Sequence, residues 1–286
     1  MNILRRLKLV FNILKGKADP VFIISTTEPE LVMDNQLLYG KNVFITGAGQ
    51  NIGRSIALEM ARQGANIYFL DLDPEKCKKL EFELGTYTVK FKGFQANIVN
   101  QQDIDQIIEY LSRENITIDI LVNNIGIAVR KSQINDFCLS DWKMVYDTNI
   151  FSPLYLTQLV ASNMIRTSTK GSIIFITSIH QWLIHNDPSY SSSKAALGMV
   201  IKEMAIDLSK FGIRVNGIAP GLIKEDEQGY PRYWQYGQLQ KTSIPPKYIG
   251  RAVVYLASDY FSHFTTGTVL TIDNGVASLG YRAKSS

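Results

Sequence analysis

Cysteine and histidine are scarce in this 286-residue chain, which holds two cysteines, Cys77 and Cys138, and three histidines, His180, His185 and His263. Two distant cysteines build no disulfide framework, and neither residue type falls at metal-ligand spacing. No metal is therefore expected, and a reducing, cytoplasmic setting fits. Only 9 prolines and 20 glycines are present, against a collagen-like or Pro/Gly-rich disordered chain. No run of 18 apolar residues escapes charge, so no transmembrane helix is expected. A signal peptide reads poorly, because Lys8 and Asn12 interrupt the first apolar run and no small-residue cleavage site follows. An excess of one charge is also lacking: 30 basic and 26 acidic residues give +4, too little for a nucleic-acid-binding field. What remains, 45% hydrophobic and 20% charged, is globular composition.

The charge that exists is placed unevenly. Residues 1–17 carry five basic residues and no acid, whereas 18–40 carry four acids and no base. Residues 1–40 therefore read as an N-terminal extension, and 41–286 as one dinucleotide-binding catalytic domain. Ile3, Leu4, Leu7, Val10, Phe11 and Leu14 share one helical face. Such a basic amphipathic segment over 1–15 suits weak contact with an anionic membrane surface, or packing on the same or a neighbouring subunit. The apolar Val21-Phe22-Ile23-Ile24 favours packing for the arm that follows.

From Lys41 onward, short apolar or β-branched runs alternate with longer segments of helical spacing. Strands are expected at 42–46, 66–71, 86–91, 118–123, 172–177, 214–218 and 269–272. Ile173-Ile174-Phe175-Ile176 is continuously apolar, as in a strand covered on both faces. Helical spacing shows at Ile52, Ile56 and Met60, and at Leu197, Val200, Ile201, Met204 and Leu208. This alternation predicts an α/β fold with a doubly wound parallel sheet. Leu222–Pro246 is the one extended irregular stretch, a candidate lid or a surface excursion.

Three motifs carry chemistry. Thr46-Gly47-Ala48-Gly49-Gln50-Asn51-Ile52-Gly53 lies between an expected strand and helix, where glycines let backbone approach a pyrophosphate. Asp71 ends the next strand, 18 residues beyond Gly53, where a carboxylate accepts from ribose hydroxyls and repels a 2′-phosphate. Asp71-Leu72-Asp73-Pro74 also reads as a plain turn. Tyr190 and Lys194 stand four apart on one helical face, so the ammonium favours the phenolate. Asn123-Asn124-Ile125-Gly126 and Ser178 each follow an expected strand.

Together, over about residues 40–280, these motifs resemble the short-chain dehydrogenase/reductase family. The resemblance implies a single-domain Rossmann-like sheet with helices on both faces. It also implies an NAD(P)-dependent oxidoreductase interconverting a secondary alcohol and a ketone. On this basis Tyr190 is the general acid/base, and Lys194 lowers its pKa and holds the nicotinamide ribose. Ser178 bonds the reacting oxygen, and Asn149 supports a water relay. Cofactor contacts are implied at Gly47, Gln50, Asn51, Ile52, Gly53, Asp71, Asn97, Asn124, Gly126, Tyr190, Lys194, Pro220, Gly221 and Ile223. NAD is expected to be preferred, with NADP as the alternative, because Arg54 beside the loop could offset Asp71.

The chain departs from the family pattern in five places, the first being Ile125 in place of the alanine of the Asn123–Gly126 motif. Asn51 replaces the middle glycine; Asn97 replaces the adenine-contacting acid; Glu225 replaces a threonine near the nicotinamide carboxamide. The Ser178–Tyr190 spacing of 12 is one short, and Thr177 would restore it. His180, Gln181, Trp182, Ile127–Arg130 and the 222–246 stretch are expected at the substrate. This suits a sugar or polyol derivative, with a 3-oxoacyl thioester as the alternative and Arg130 and Lys131 as docking charges. A non-catalytic cofactor-binding scaffold is the reading of another class. Apolar breadth on the Tyr190 helix, as in family members, predicts a homodimer or homotetramer.

Overall fold

The computed structural model describes residues 36–129, 134–227 and 229–279. The expected helix over 1–15, the 21–24 arm and Arg130–Lys131 lie outside the described residues. Seven parallel strands form one sheet: β1 (Asn42–Thr46), β2 (Asn66–Asp71), β3 (Phe91–Gln95), β4 (Ile120–Asn123), β5 (Ser172–Ile176), β6 (Arg214–Pro220) and β7 (Val269–Ile272). Their order is β3-β2-β1-β4-β5-β6-β7, so the winding reverses between β1 and β4. Loops diverge at that switch point and leave a crevice at the carboxyl ends of the strands.

Helices α1 (Asn51–Arg62), α2 (Pro74–Leu84) and α7 (Pro246–Ala257) cover one face. The other face is covered by α3 (Gln101–Arg113), α5 (Ser152–Arg166) and α6 (Pro188–Ser209), while α4 (Leu139–Tyr146) leads into α5 and α8 (Asp259–Ser262) follows α7. Alternate strand residues feed opposite cores: Val43 and Ile45 pack under α1 and α7, and Phe44 packs towards α3. This two-sided burial is why Ile173–Ile176 is continuously apolar. Among the described residues, no helix is long and apolar enough to cross a membrane.

The third strand is displaced from its expected place at 86–91. Gly85 ends α2, residues 86–90 form a turn, and Tyr87 and Val89 pack against the core from that turn. The strand itself, Phe-Lys-Gly-Phe-Gln, is a half-exposed edge with little β-branched character. Gly93 is required there, since a Cβ would lie 2.7 Å from Phe69 Cζ. Residues 36–40 join the domain: Leu38 is buried in the core and bonds the carbonyl of Gln63. The Leu222–Pro246 stretch is held by isolated bridges, Ile223 to Ile244, Glu225 to Pro231 and Tyr233 to Thr242.

Candidate active site

The glycine-rich loop follows β1 at the switch point and runs into α1. A Cβ at Gly53 would lie 2.1 Å from the Gly47 carbonyl oxygen, so only glycine permits that approach. Gly47 takes φ +64° and Asn51 φ 47°, both left-handed, and asparagine is among the few side chains that accept this. Gln50 occupies the helix N-cap without a side-chain bond, and the first turn holds no acid. Backbone N–H groups at that end, with the helix dipole, therefore suit an anion. Asn124 supports the loop from beneath, donating to the carbonyls of Thr46 and Gly47 at 3.0 Å each. Its own N–H donates to Thr46 Oγ1 at 2.9 Å.

Asp71 serves both the turn and the loop. Oδ1 accepts from Asp73 N–H at 3.1 Å, and Oδ2 accepts from Gly49 N–H at 2.8 Å. The half-buried carboxylate thus stands against the glycine loop, where a ribose diol would meet it. Arg54 is turned to Glu83 in a bidentate pair at 2.7 and 2.9 Å, so its guanidinium is engaged on α2. Asn97 is exposed beyond β3, and its side-chain oxygen accepts from Val99 N–H. At the far end of the crevice, Pro220 closes β6 and Gly221 packs where a Cβ would meet Asp273 Cα at 2.7 Å. Ile223 bridges to Ile244, and Glu225 bridges to Pro231 while its carbonyl accepts from Arg232 Nε.

Tyr190, Lys194, Ser178 and Asn149 are held by a separate set of contacts. Asn149 sits in a π-helical turn, Asp147–Phe151, between α4 and α5; no periodicity in the sequence marks such a turn, which frequently signals function. Its side chain grips Ile127 through both N–H (2.8 Å) and carbonyl (3.0 Å) and donates to Ser193 Oγ at 2.9 Å. Ser193 Oγ in turn donates to the Tyr190 carbonyl at 2.7 Å. Lys194 is buried, donates from Nζ to the Ile176 carbonyl at 3.0 Å, and lies 5.7 Å from the Tyr190 ring centre. Gly126 makes room for it: a Cβ there would stand 2.8 Å from Nζ.

The electrostatics differ from the simple cation-and-phenol expectation. Burial pushes the Tyr190 phenol above its ordinary value, the Ser178 hydroxyl pulls it down, and the Asp187 carboxylate raises it again. Burial also lowers the Lys194 ammonium to about 8, which leaves it mostly charged at pH 7. Desolvation, not mutual attraction, thus dominates both groups.

The choice between the two hydroxyls at the end of β5 follows from their partners. Thr177 Oγ1 is buried, donating to the Ile218 carbonyl at 3.0 Å and accepting from Gln181 Nε2 at 2.9 Å. Ser178 is the one beside the phenol, its Oγ accepting the His180 N–H at 3.2 Å. Gln181 does not offer its amide to a ligand; it is spent on Thr177 and Ser178 and packs where a Gly198 Cβ would stand. His180 and His185 stack at 3.9 Å, with ring centres 6.3 and 5.8 Å from that of Tyr190. Trp182, Ile184 and Pro188 line a groove of about 590 Å³ with Ser191 and Ala195, on the face of α6 turned away from Tyr190. Among the described residues no cluster of His, Cys, Asp or Glu could hold a metal.

Comparison with known proteins gives the family. A family model described as enoyl-(acyl carrier protein) reductase matches residues 47–277. A 7α-hydroxysteroid dehydrogenase of Escherichia coli is 33% identical over 249 residues, covering 85% of this chain and 96% of the relative. Sorbose reductase SOU1 of Candida albicans is 30% identical over 258 residues, covering 86% and 90%. The solved structure of a 7α-hydroxysteroid dehydrogenase complexed with NADH and 7-oxo glycochenodeoxycholic acid superposes with a TM-score of 0.77 at 32% identity, covering 85% and 96%. The chain belongs to the short-chain dehydrogenase/reductase family. It is an oxidoreductase of CH–OH groups that uses NAD(P) to interconvert a secondary alcohol and a ketone. The glycine approach, the uncapped α1 terminus and Asp71 fit a bound dinucleotide.

Proposed function

We propose that this protein is an NAD-preferring dehydrogenase/reductase in which Tyr190 exchanges a proton with the oxygen of a small polyhydroxylated or ketone substrate. The observation that carries the reading is the convergence of the Asn149–Ser193–Tyr190 hydrogen-bond chain, the buried Lys194 held on the Ile176 carbonyl, and Ser178 beside the phenol. When bound, a nicotinamide would accept a hydride from the carbinol carbon in oxidation and supply one to the carbonyl carbon in reduction. Tyr190 takes the hydroxyl proton in oxidation and returns it in reduction, while Ser178 donates a hydrogen bond to the same oxygen. Lys194, charged and desolvated, stabilises negative charge on the phenol, and Asn149 fixes the Ile127 wall and the Tyr190 main chain. Asp71, Gly47, Asn51 and Gly53 hold the adenosine and pyrophosphate end, with Gly126, Pro220, Gly221 and Ile223 at the nicotinamide end. NAD preference is supported by Asp71 against Gly49 and by Arg54 engaged with Glu83.

A sugar or polyol substrate is supported by the tyrosine-rich 230–236 segment and by the sorbose reductase relative. A 3-oxoacyl thioester is the second reading, favoured by the acyl-carrier description of the matching family. A panel of polyols, keto-sugars, hydroxysteroids and 3-oxoacyl thioesters, followed at the reduced-nicotinamide absorbance, decides among them; cofactor binding with no turnover on any would instead support a scaffold. The same proposal includes a cytoplasmic homodimer or homotetramer, supported by Met199 and Ile206 exposed on α6 and Phe151 exposed before α5. Light scattering that finds a monomer at micromolar concentration overturns the assembly. A chain beginning at Gln36 separates the roles of the extension. Loss of liposome binding alone marks membrane contact, and a lowered Tm or changed oligomer marks packing.

A further inference from the structure

The N-cap of α6 is a buried carboxylate that the proton transfer described above leaves without a part. Asp187 is only 6% exposed. Its Oδ1 accepts from the N–H of Tyr190 at 3.1 Å and from the Ser189 hydroxyl at 2.8 Å. Its Oδ2 accepts from the N–H of Val129 at 3.1 Å, and its carbonyl accepts from Ser191 N–H at 3.0 Å. Val129 lies two residues beyond Ile127, which Asn149 grips from the other side. One carboxylate thus joins the segment after β4 to the helix bearing the phenol. A helix cap alone asks for one acceptor, which asparagine or serine supplies as well. The charge and the second acceptor are what aspartate adds.

We propose that Asp187 is a positioning residue for proton transfer: it fixes the Tyr190 main chain against the Ile127–Val129 wall, with its charge held in the same helix turn as the phenol. This rests on the reading of Tyr190 as the acid/base. The Tyr190 main chain is clamped at both ends, its N–H by Asp187 and its carbonyl by Ser193. The charged or titratable groups around the phenol are Lys194 and Asp187 on its own helix and the His180–His185 stack from the preceding segment. Burial raises the phenol's proton affinity, the Ser178 hydroxyl lowers it, and the Asp187 carboxylate raises it further, so removing that charge should lower it. Burial holds the His180 imidazole below its ordinary value, so it stays neutral at pH 7 and above.

The test compares Asp187→Asn, which keeps a cap acceptor and loses the charge, with Asp187→Ala, which loses both. With the full chain, the alkaline inflection of kcat in the reduction direction should move to lower pH in Asp187→Asn. A tyrosinate difference titration, wild type minus Tyr190→Phe, should move the same way in the Asp187→Asn background without any substrate. Asp187→Ala should add a fall in kcat of about tenfold, with the cofactor Kd unchanged. Asp187→Ser, a neutral cap, replaces the amide variant if that fails to fold. An inflection and a titration both unmoved in the neutral-cap variant overturn the proposal. If Tyr190→Phe keeps turnover, the acid/base reading fails, and the titration still reports whether Asp187 governs the phenol.

Discussion

Along the side of the crevice formed by β1, β2 and β4, the protein presents mostly backbone: Gly47, Gly49 and Gly53, the open N-terminus of α1, and one carboxylate from Asp71. Residues 180–187 and 222–245, by contrast, present large side chains, with Trp182, Tyr230, Tyr233 and Tyr236 all more than half exposed. The first side is specified by where a Cβ cannot stand and where φ must be positive. The second is specified by shape and hydrogen-bonding groups that many residue combinations supply. A shared dinucleotide constrains the former; an individual substrate tunes the latter. The relatives named above carry different substrates in their names.

The sharpest break between the two sides comes at Tyr190, where they meet. Tyr190→Phe removes the proton donor and keeps the ring, so kcat should fall by roughly 10²–10⁴ with cofactor affinity intact. Steady-state kinetics beside a cofactor titration check it, and near-normal turnover in a folded variant overturns the role. Next in size is Gly53→Ala, whose methyl group would meet the Gly47 carbonyl at 2.1 Å. The loop must open, and cofactor Kd should rise at least about tenfold while Tm falls. Unchanged affinity would mean the backbone side is less rigid than the comparison requires.

A smaller effect is expected at Asp71. Asp71→Ala removes the repulsion of a 2′-phosphate and a bond to Gly49 N–H, so the ratio of kcat/KM for NAD over NADP should shrink by about tenfold. Most of that change should come from weaker use of NAD, because Arg54 stays engaged with Glu83 and offers no new phosphate partner. A wild-type preference for NADP would contradict the proposal outright.

The strand pattern and the site were legible where a local rule forces the residue. Ile173–Ile176 must be apolar because both faces are covered, and β1, β2 and β7 fall where expected. The β3 edge misleads because Tyr87 and Val89 look like strand residues while packing from a turn, and the strand they precede holds lysine, glycine and glutamine. In the site, Asn51 was readable because few residues accept a left-handed φ. The π-turn around Asn149 was not, since one extra residue in a helix leaves no periodic mark. Gln181 looked like a pocket amide, and only tertiary contact reveals that Thr177, Ser178 and Gly198 claim it. The balance of burial against charge at Tyr190 is likewise a property of three-dimensional surroundings.

The smallest predicted effect tests whether the backbone side depends on conformation alone. Asn51 is exposed, begins α1, and stands at φ 47°. If its side chain serves only to tolerate that angle, Asn51→Gly should change stability by less than about 0.5 kcal/mol and leave cofactor Kd within about twofold. Asn51→Ala keeps a small side chain but pays for the left-handed angle, so it should lose about 1–2 kcal/mol. Asn51→Val adds a branched Cβ and should lose more. Denaturant melts and cofactor titrations of the three variants check the order. A rise in Kd for Asn51→Gly as large as for Asn51→Val would show instead that the asparagine amide itself contacts the cofactor.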